Sequence, residues 1–434
     1  MRNGLSTIVA VTFAILFMSS CKELSSDAET VVLGDAQFDE YLPLLQGKRV
    51  AVYSNHTGIV GDYSEGLLVP AGKTVTEEQS IVPFGTPASA DKPVVYGEHI
   101  VDALIERGVN VTAIFSPEHG FRGSADAGEN VESSVDQKTG VPILSLYEHG
   151  THLPSAESMS TFDVIVVDIQ DVGLRYYTYY ITMHHLMEAG AIYGKQMIVL
   201  DRPNPNGFFV DGPLLDMKFK SSIGWLPVAM CHGMTMGELA LMINGEGWLP
   251  DGLSCDLTVI TCKNYTHSTK YTLLMAPSPN LKDMKSIYLY SSTCFFTATV
   301  ATEGRGTEFP FEVYGHPEIK NGDFCFTPHS IPGAKTPRLQ DQLCHGRDLR
   351  KVPLDSIWDQ QINLQYLIDA YNDLDMGDEF FGGAENLHFE HQIGQAYVRE
   401  MIEAGCPADS IKAAWAADVA AFKKQREPYL LYSE

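Results

Sequence analysis

Two stretches carry residue types that could do chemistry: "SPEHGFRG" at residues 116–123 and "TEGRGTEFPFEVYG" at residues 302–315. The first sets Glu118, His119 and Arg122 directly behind the apolar run "VTAIF". The second sets Glu303, Arg305 and Glu308 around Gly304 and Gly306, whose backbones tolerate tight turns. Cleaving a glycosidic bond calls for one carboxylic acid that protonates the leaving oxygen and a second carboxylate that acts as nucleophile or as base for water. An arginine flanked by carboxylates and glycines suits an anionic group. Each stretch also has a plain structural reading. Glu118 could stabilise a helix N-terminus through the peptide dipoles, and the second stretch could be a surface turn ahead of an aromatic strand. A Ser-His-Asp hydrolase has less support, since no Gly-x-Ser-x-Gly elbow follows a strand.

The elements that must position these residues are legible from periodicity. Apolar runs suited to buried parallel strands, "RVAVYSN", "VNVTAIF", "VPILSLY", "FDVIVVDIQ", "KQMIVLD" and "DLTVITC", alternate with helical patterns. Among the latter, "HIVDALIERG" stops at Gly108, "YYITMHHLMEAG" is expected to end at Gly190, and "MTMGELALMINGEG" opens with a Thr235/Glu238 capping box. This succession predicts an α/β fold, an open and mostly parallel sheet with helices on both faces, over residues 31–262. Residues 263–434 lack the alternation and read as a smaller C-terminal α+β domain with three helical patterns, "INLQYLIDAYNDL", "HQIGQAYVREMIEAG" and "SIKAAWAADVAAFKKQRE". A Gly-, Pro- and Ser-rich insertion at residues 61–92 reads as a loop.

Ligands of open α/β sheets sit beyond the carboxyl ends of the strands. Four polar loops fall there: "SNHTG" with Asn55, "SPEHGFRG", "DIQDVGLRYYTYY" with Asp168, Asp171, Arg175 and Tyr176, and "DRPNPNG" with Asp201 and Asn204. Their convergence is the stronger signal, because any one of them could be turn chemistry alone. The tyrosines at 176, 177, 179 and 180 are too many for one helix face, so they divide between core packing and a flat wall for a sugar. His119 and His232 read as hydrogen-bonding partners, since no metal-ligand spacing is present.

Thirty basic residues against 55 acidic ones give the 434-residue chain a formal charge of −25, which disfavours a nucleic-acid partner. No Gly-x-Gly-x-x-Gly follows the first strand and no P-loop occurs, so no nucleotide cofactor is indicated and no metal is supported. "MRNGLSTIVAVTFAILFMSSC" has an early Arg2, an apolar stretch shorter than a membrane span, and small residues before Cys21. It reads as a lipoprotein-type signal over residues 1–21, with Cys21 lipidated and the protein exported and anchored in a bacterial envelope; a plain cleaved signal peptide is the alternative. The seven remaining cysteines are an odd number and read mostly as buried free thiols, with one disulfide possible.

Taken in order, "SNHTG", "FSPEHGFRG", "DIQDVGLRYYTY", "LDRPNPNG", "VDGP", "CHGMTMGELA", "PSPNL" and "EGRGTEFPFEVYG" resemble the exo-β-N-acetylmuramidase family called NamZ, from about Gly47 to the C-terminus. The resemblance implies a Rossmann-like N-terminal domain, a smaller C-terminal domain and an active site in the cleft involving both. It implies removal of terminal N-acetylmuramic acid from the non-reducing ends of peptidoglycan fragments, with Glu118 and Glu303 as the catalytic glutamates. Glu118 is then the expected proton donor and Glu303 the second carboxylate, unless the substrate's acetamido group attacks, in which case Asp168 and Asp171 would orient it. The lactyl carboxylate of muramic acid gives an acidic protein a reason to keep arginines in its cleft, and Arg122, Arg175 and Arg305 are the candidates. His56, where glutamine is expected, and Glu148 and His149 in "LYEHG" depart from the pattern. Two competing readings are a lipid-anchored sugar-binding protein without catalysis and an esterase or amidase acting on cell-wall decorations.

Overall fold

The computed structural model describes residues 30–60, 68–69, 98–117, 121, 134–145 and 152–434. The segment expected to be a signal, with Cys21, most of the 61–92 insertion, Glu118, His119, Arg122, Glu148 and His149 lie outside the described residues.

Seven strands form the main sheet: β1 (Arg49–Ser54), β2 (Asn110–Phe115), β3 (Ser134–Val135), β4 (Pro142–Leu144), β5 (Val164–Asp168), β6 (Gln196–Leu200) and, after an antiparallel pair β7 (Asp211–Leu214) and β8 (Ala229–Cys231), β9 (Leu257–Ile260). Their order is β9-β6-β5-β1-β2-β4-β3, and every pairing is parallel except β3 with β4. The strand order reverses at β1, which lies between β5 and β2, and such a switch point is where an open α/β sheet offers a crevice.

The strands are buried on both faces, as their near-continuous apolar runs require. Val50 and Val52 of β1, Val164 and Val166 of β5, and Ile198 and Leu200 of β6 share one cluster with α1 (Phe38–Leu45) and α2 (Ile100–Glu106). The alternate residues Ala51, Tyr53, Ile165, Val167, Met197 and Val199 face α3 (Tyr179–Tyr193) and α4 (Met236–Gly245). That second cluster runs on without a break through the C-terminal part to Trp415 and Phe422, so most of the core after β9 is built on the α3 and α4 side of the sheet.

The predicted helices recur with two differences. α3 does not end at Gly190 but runs to Tyr193 and is closed by Gly194 in the left-handed region (φ 62°). Gly190 serves close packing instead, since a Cβ there would lie 3.1 Å from the Lys195 carbonyl. The single pattern expected over "HQIGQAYVREMIEAG" is two helices, α7 (His388–Ile393) and α8 (Tyr397–Glu403), separated at Gly394 (φ 88°). The capping box of α4 is formed as read, with Thr235 and Glu238 each accepting from the other's backbone.

The remaining C-terminal elements are α5 (Met284–Thr293), a three-stranded antiparallel sheet of β10 (Val313–His316), β11 (Phe324–Phe326) and β12 (Cys344–Asp348), α6 (Gln365–Leu374) and the long α9 (Ala408–Arg426). α9 packs on the antiparallel β7–β8 pair, and the tail returns to the end of the parallel strand β6. Trp415 donates to Asp211 (2.9 Å), Lys412 pairs with the same carboxylate (2.8 Å), and Tyr432 donates to Asp201 (2.6 Å). All seven cysteines from Cys231 to Cys406 are free thiols, and five of them are buried.

Candidate active site

The loop turns after β1, β5 and β6 are tied to one another by their own polar groups. Asn55 accepts from the Thr57 backbone N–H (2.9 Å) and hydroxyl (2.6 Å), and that hydroxyl accepts from the Gln170 N–H (3.1 Å). Gln170 in turn donates to the Pro203 carbonyl (2.8 Å). Beneath them, Arg202 joins two buried carboxylates, at 2.6 Å to Asp168 and 2.5 Å to Asp35. Burial, together with the charge on Asp168, holds the Asp35 carboxyl above its usual range despite the arginine. Neither Asp35 nor Arg202 was singled out from sequence, although an arginine directly behind a buried strand in "LDRPNPNG" was a signal for it.

Several expected ligand residues prove to be structural. Arg175 is fully buried, and its guanidinium donates to the carbonyls of Pro213, Val228, Ile393 and Gln392, so it does not face a substrate. A Cβ on Gly394 would lie 2.4 Å from that guanidinium, which is why the chain needs glycine between α7 and α8. Asp201 accepts from Thr235, Tyr432 and the Gly237 N–H and works as an anchor for α4 and the C-terminal tail. Asn204 bridges the Asn206 N–H and the Met234 carbonyl, and Tyr176 donates to the Tyr290 carbonyl within the core. His232 accepts from the Met234 N–H, and burial drives its pKa down to about 3. Most of these polar atoms are engaged because turns at strand ends must satisfy their own backbone; His232 Nε2 and Arg175 Nε are the exceptions, buried without a partner among the described residues.

Asp171 differs. One carboxylate oxygen accepts from the Gly173 N–H (2.6 Å), while the other is buried with no partner among the described residues. Burial, only partly offset by backbone N–H groups, pushes its pKa up to about 7. Its neighbour Tyr177 donates to the Pro277 carbonyl (2.8 Å), as Tyr179 does at 3.2 Å, and His56 bonds the adjacent Ala276 carbonyl (2.8 Å). The segment "APSPNLK" at residues 276–282 thus closes over the sheet edge. It continues toward the second chemistry-bearing stretch, where Lys282 donates to the Thr307 carbonyl (3.3 Å).

That stretch is a closed turn, pinned at its base by the Thr302–Gly315 bridge. Gly304 (φ 85°) and Gly306 (φ 84°) lie in the left-handed region, and a Cβ on Gly304 would meet the Val313 side chain at 2.6 Å. Between them Arg305 reaches back 3.2 Å to Glu303 and lies over the Phe311 ring. Glu303 is 2% exposed, and its second carboxylate oxygen has no partner among the described residues. Glu308, by contrast, is 87% exposed and, among the described residues, paired only with Lys282. Phe311 carries φ 66°, rare for a bulky residue, and its N–H donates 2.6 Å to the Glu303 carbonyl. Such backbone strain persists only where surroundings over-determine it. Here they do, since Thr293 donates to the Phe311 carbonyl and Tyr290 packs edge-on against its ring at 4.6 Å. Tyr290 also touches Tyr176 and Tyr177, which completes a contact path from the Asp171 loop to the Glu303 turn. Tyr290 and Phe311 carried no polar signature in the sequence and were missed there.

Among the described residues no group of His, Cys, Asp and Glu is arranged to hold a metal ion.

Residues 88–285 match the family model for the N-terminal region of exo-β-N-acetylmuramidase NamZ, and residues 288–432 match that for its C-terminal region. The chain belongs to the NamZ family. It is 37% identical to the peptidoglycan β-N-acetylmuramidase NamZ of Bacillus subtilis, over 99% of this chain and 98% of that protein. Two crystal structures of DUF1343 family proteins from Bacteroides fragilis share the fold. One is 51% identical with a TM-score of 0.80, the other 25% identical with a TM-score of 0.68, and each pairing covers 93% of this chain and 99% of the other. NamZ membership, with the mostly parallel sheet and the small antiparallel one, agrees with the fold and family expected from the ordered motifs.

Proposed function

We propose that the protein is an exo-acting glycoside hydrolase that releases terminal β-N-acetylmuramic acid from the non-reducing ends of peptidoglycan fragments, in cell-wall turnover or recycling. The observation that carries the reading is Glu303, a buried carboxylate on a glycine-enforced turn with one oxygen held by Arg305 and the other left for a ligand. Hydrolysis needs a proton on the leaving oxygen and electron density at the anomeric carbon. Glu118, which follows Ser116 and Pro117 at the carboxyl end of β2, supplies the proton, and Glu303 is the second carboxylate. Asp171 orients the acetamido group through its free oxygen, and Asn55, whose side-chain amide N–H group has no partner among the described residues, serves the same sugar. With Arg175 excluded, Arg305 and Arg122 receive the lactyl carboxylate. The working cleft lies between residues 31–262 and residues 263–434. Cys21 carries the lipid that keeps the enzyme at the cell envelope.

The test uses protein lacking residues 1–21 with a chromogenic β-N-acetylmuramide and the matching β-N-acetylglucosaminide, beside Glu118→Gln and Glu303→Gln. Release from the muramide alone, lost in both variants, is expected. Binding of muramic acid without release from either sugar would establish a binding protein instead. Lipidation at Cys21 is read separately, by the mass of the N-terminal peptide from membrane fractions of wild type and Cys21→Ser.

A further inference from the structure

A cavity of about 230 Å³ lies at the end of the "DRPNPNG" turn and is lined in part by Phe208, His267, Lys270, Lys423, Arg426 and the carboxylate-bearing Glu434, none of them part of the Glu303 turn. In a chain of net charge −25, three cations around one cavity need an explanation. Arg426 has one: it donates to the Gly233 carbonyl (2.7 Å) and pairs with Glu434. His267 has one too, at 3.0 Å from Glu238. The side-chain ammonium groups of Lys270 and Lys423 make no hydrogen bond or ion pair among the described residues. The Lys270 ammonium rests on the Phe208 ring, 2.9 Å from its centroid, and 5.3 Å from that of Trp358. Tyr288 and Trp358, outside the cavity lining, pack against Phe208 and back its ring.

We propose that this cavity is an accessory binding site for a small carboxylate-bearing ligand with an apolar face, held by Lys270 and Lys423 against the Phe208 wall. Lysine binds carboxylate as a point charge, and the ring supplies a flat surface for the body of the ligand. Half-burial already drives the Lys270 pKa down to about 7, with only Asp359 opposing, so a bound anion would also restore its charge. The choice of carboxylate over other anions rests on the peptidoglycan reading. Two sources offer that chemistry, the lactyl group of a muramic sugar and the carboxyl end of a stem peptide.

Binding is measured by calorimetry on the full-length mature chain with N-acetylmuramic acid, N-acetyl-D-alanine, N-acetylglucosamine and inorganic phosphate. The muramic sugar is expected to fill two sites in the native protein and one in Lys270→Gln/Lys423→Gln. N-acetyl-D-alanine, if the peptide is the source, binds the native protein and at least tenfold more weakly the double variant. N-acetylglucosamine and phosphate should show no binding lost in that variant. Lys270→Arg should retain binding, and muramide hydrolysis should be unchanged in all variants, which also reports that they fold. Identical titrations of native and doubly substituted protein, or a preference for phosphate, would overturn the proposal. The absence of muramide hydrolysis in native protein would instead sink the enzyme reading and leave the anion titrations to be judged on their own.

Discussion

The carboxyl edge of the parallel sheet and the Glu303 turn are both dense in polar residues, yet they use them in opposite ways. At the sheet edge, Asp201, Asn204 and Arg175 spend polar atoms on backbone groups and, for Asp201, on the hydroxyls of Thr235 and Tyr432. In the turn, two glycines and a phenylalanine in the left-handed region hold a buried glutamate with one oxygen uncommitted. Polar density at strand ends therefore marks where a site can be, and an unspent buried carboxylate is where the proposed function puts the chemistry. Asp168 and Asp171 both keep a buried carboxylate oxygen without a partner among the described residues, Asp168 beside Arg202 and Asp171 with no cation to offset its burial.

The largest effect expected from this contrast is at Glu303. Glu303→Gln should lower kcat/KM on the muramide by about 10²–10⁴-fold with little change in the denaturant midpoint, since the amide fills the same space. If activity survives, the turn is not the catalytic half of the molecule. Arg175→Met should do the reverse. Leaving the carbonyls of Pro213, Val228 and Ile393 without donors should cost roughly 3 kcal/mol in urea unfolding, while the folded fraction keeps its KM for the muramide. A large rise in KM would return Arg175 to the substrate site. Gly304→Ala tests both sides at once, because positive φ and the Val313 contact should destabilise by about 1–3 kcal/mol and displace Glu303 enough to lower kcat.

The smallest effect is on pH. Asp171 and Asp201 have folded pKa values raised to about 7 and about 6, so their contribution to stability is full below the unfolded carboxylate value and is lost as pH rises through 6 to 7. His185 and His232, both lowered to about 3 by burial, contribute stability that is full above the unfolded histidine value near 6.5 and is lost as pH falls. Between about pH 4 and 7 the aspartate pair and the histidine pair oppose each other, so these four groups leave the urea midpoint nearly level there and lower it below about pH 4. Asp171→Asn removes one of the opposing contributions and should make the midpoint rise with pH between about 4 and 7. A midpoint that climbs steadily to pH 8 would mean that Asp171 and Asp201 are ionised in place without penalty.

Local order was readable from residue types because its causes are local. The strands β1, β2, β5 and β6, the α4 capping box and the need for glycine at 304 and 306 all follow from patterns within a few residues. The ordered motifs also carried the family, since a run of short matches in sequence is specific even when each is weak. What stayed hidden depends on partners far along the chain. Nothing near Arg175 says that its guanidinium meets carbonyls at residues 392 and 393, and nothing near Asp201 says that Tyr432 returns to it. Sequence determined which residues could carry charge at the strand ends and in the glycine turn. Tertiary structure decided which of those charges are spent, because burial and hydrogen bonding are set by whatever the rest of the fold packs against each group.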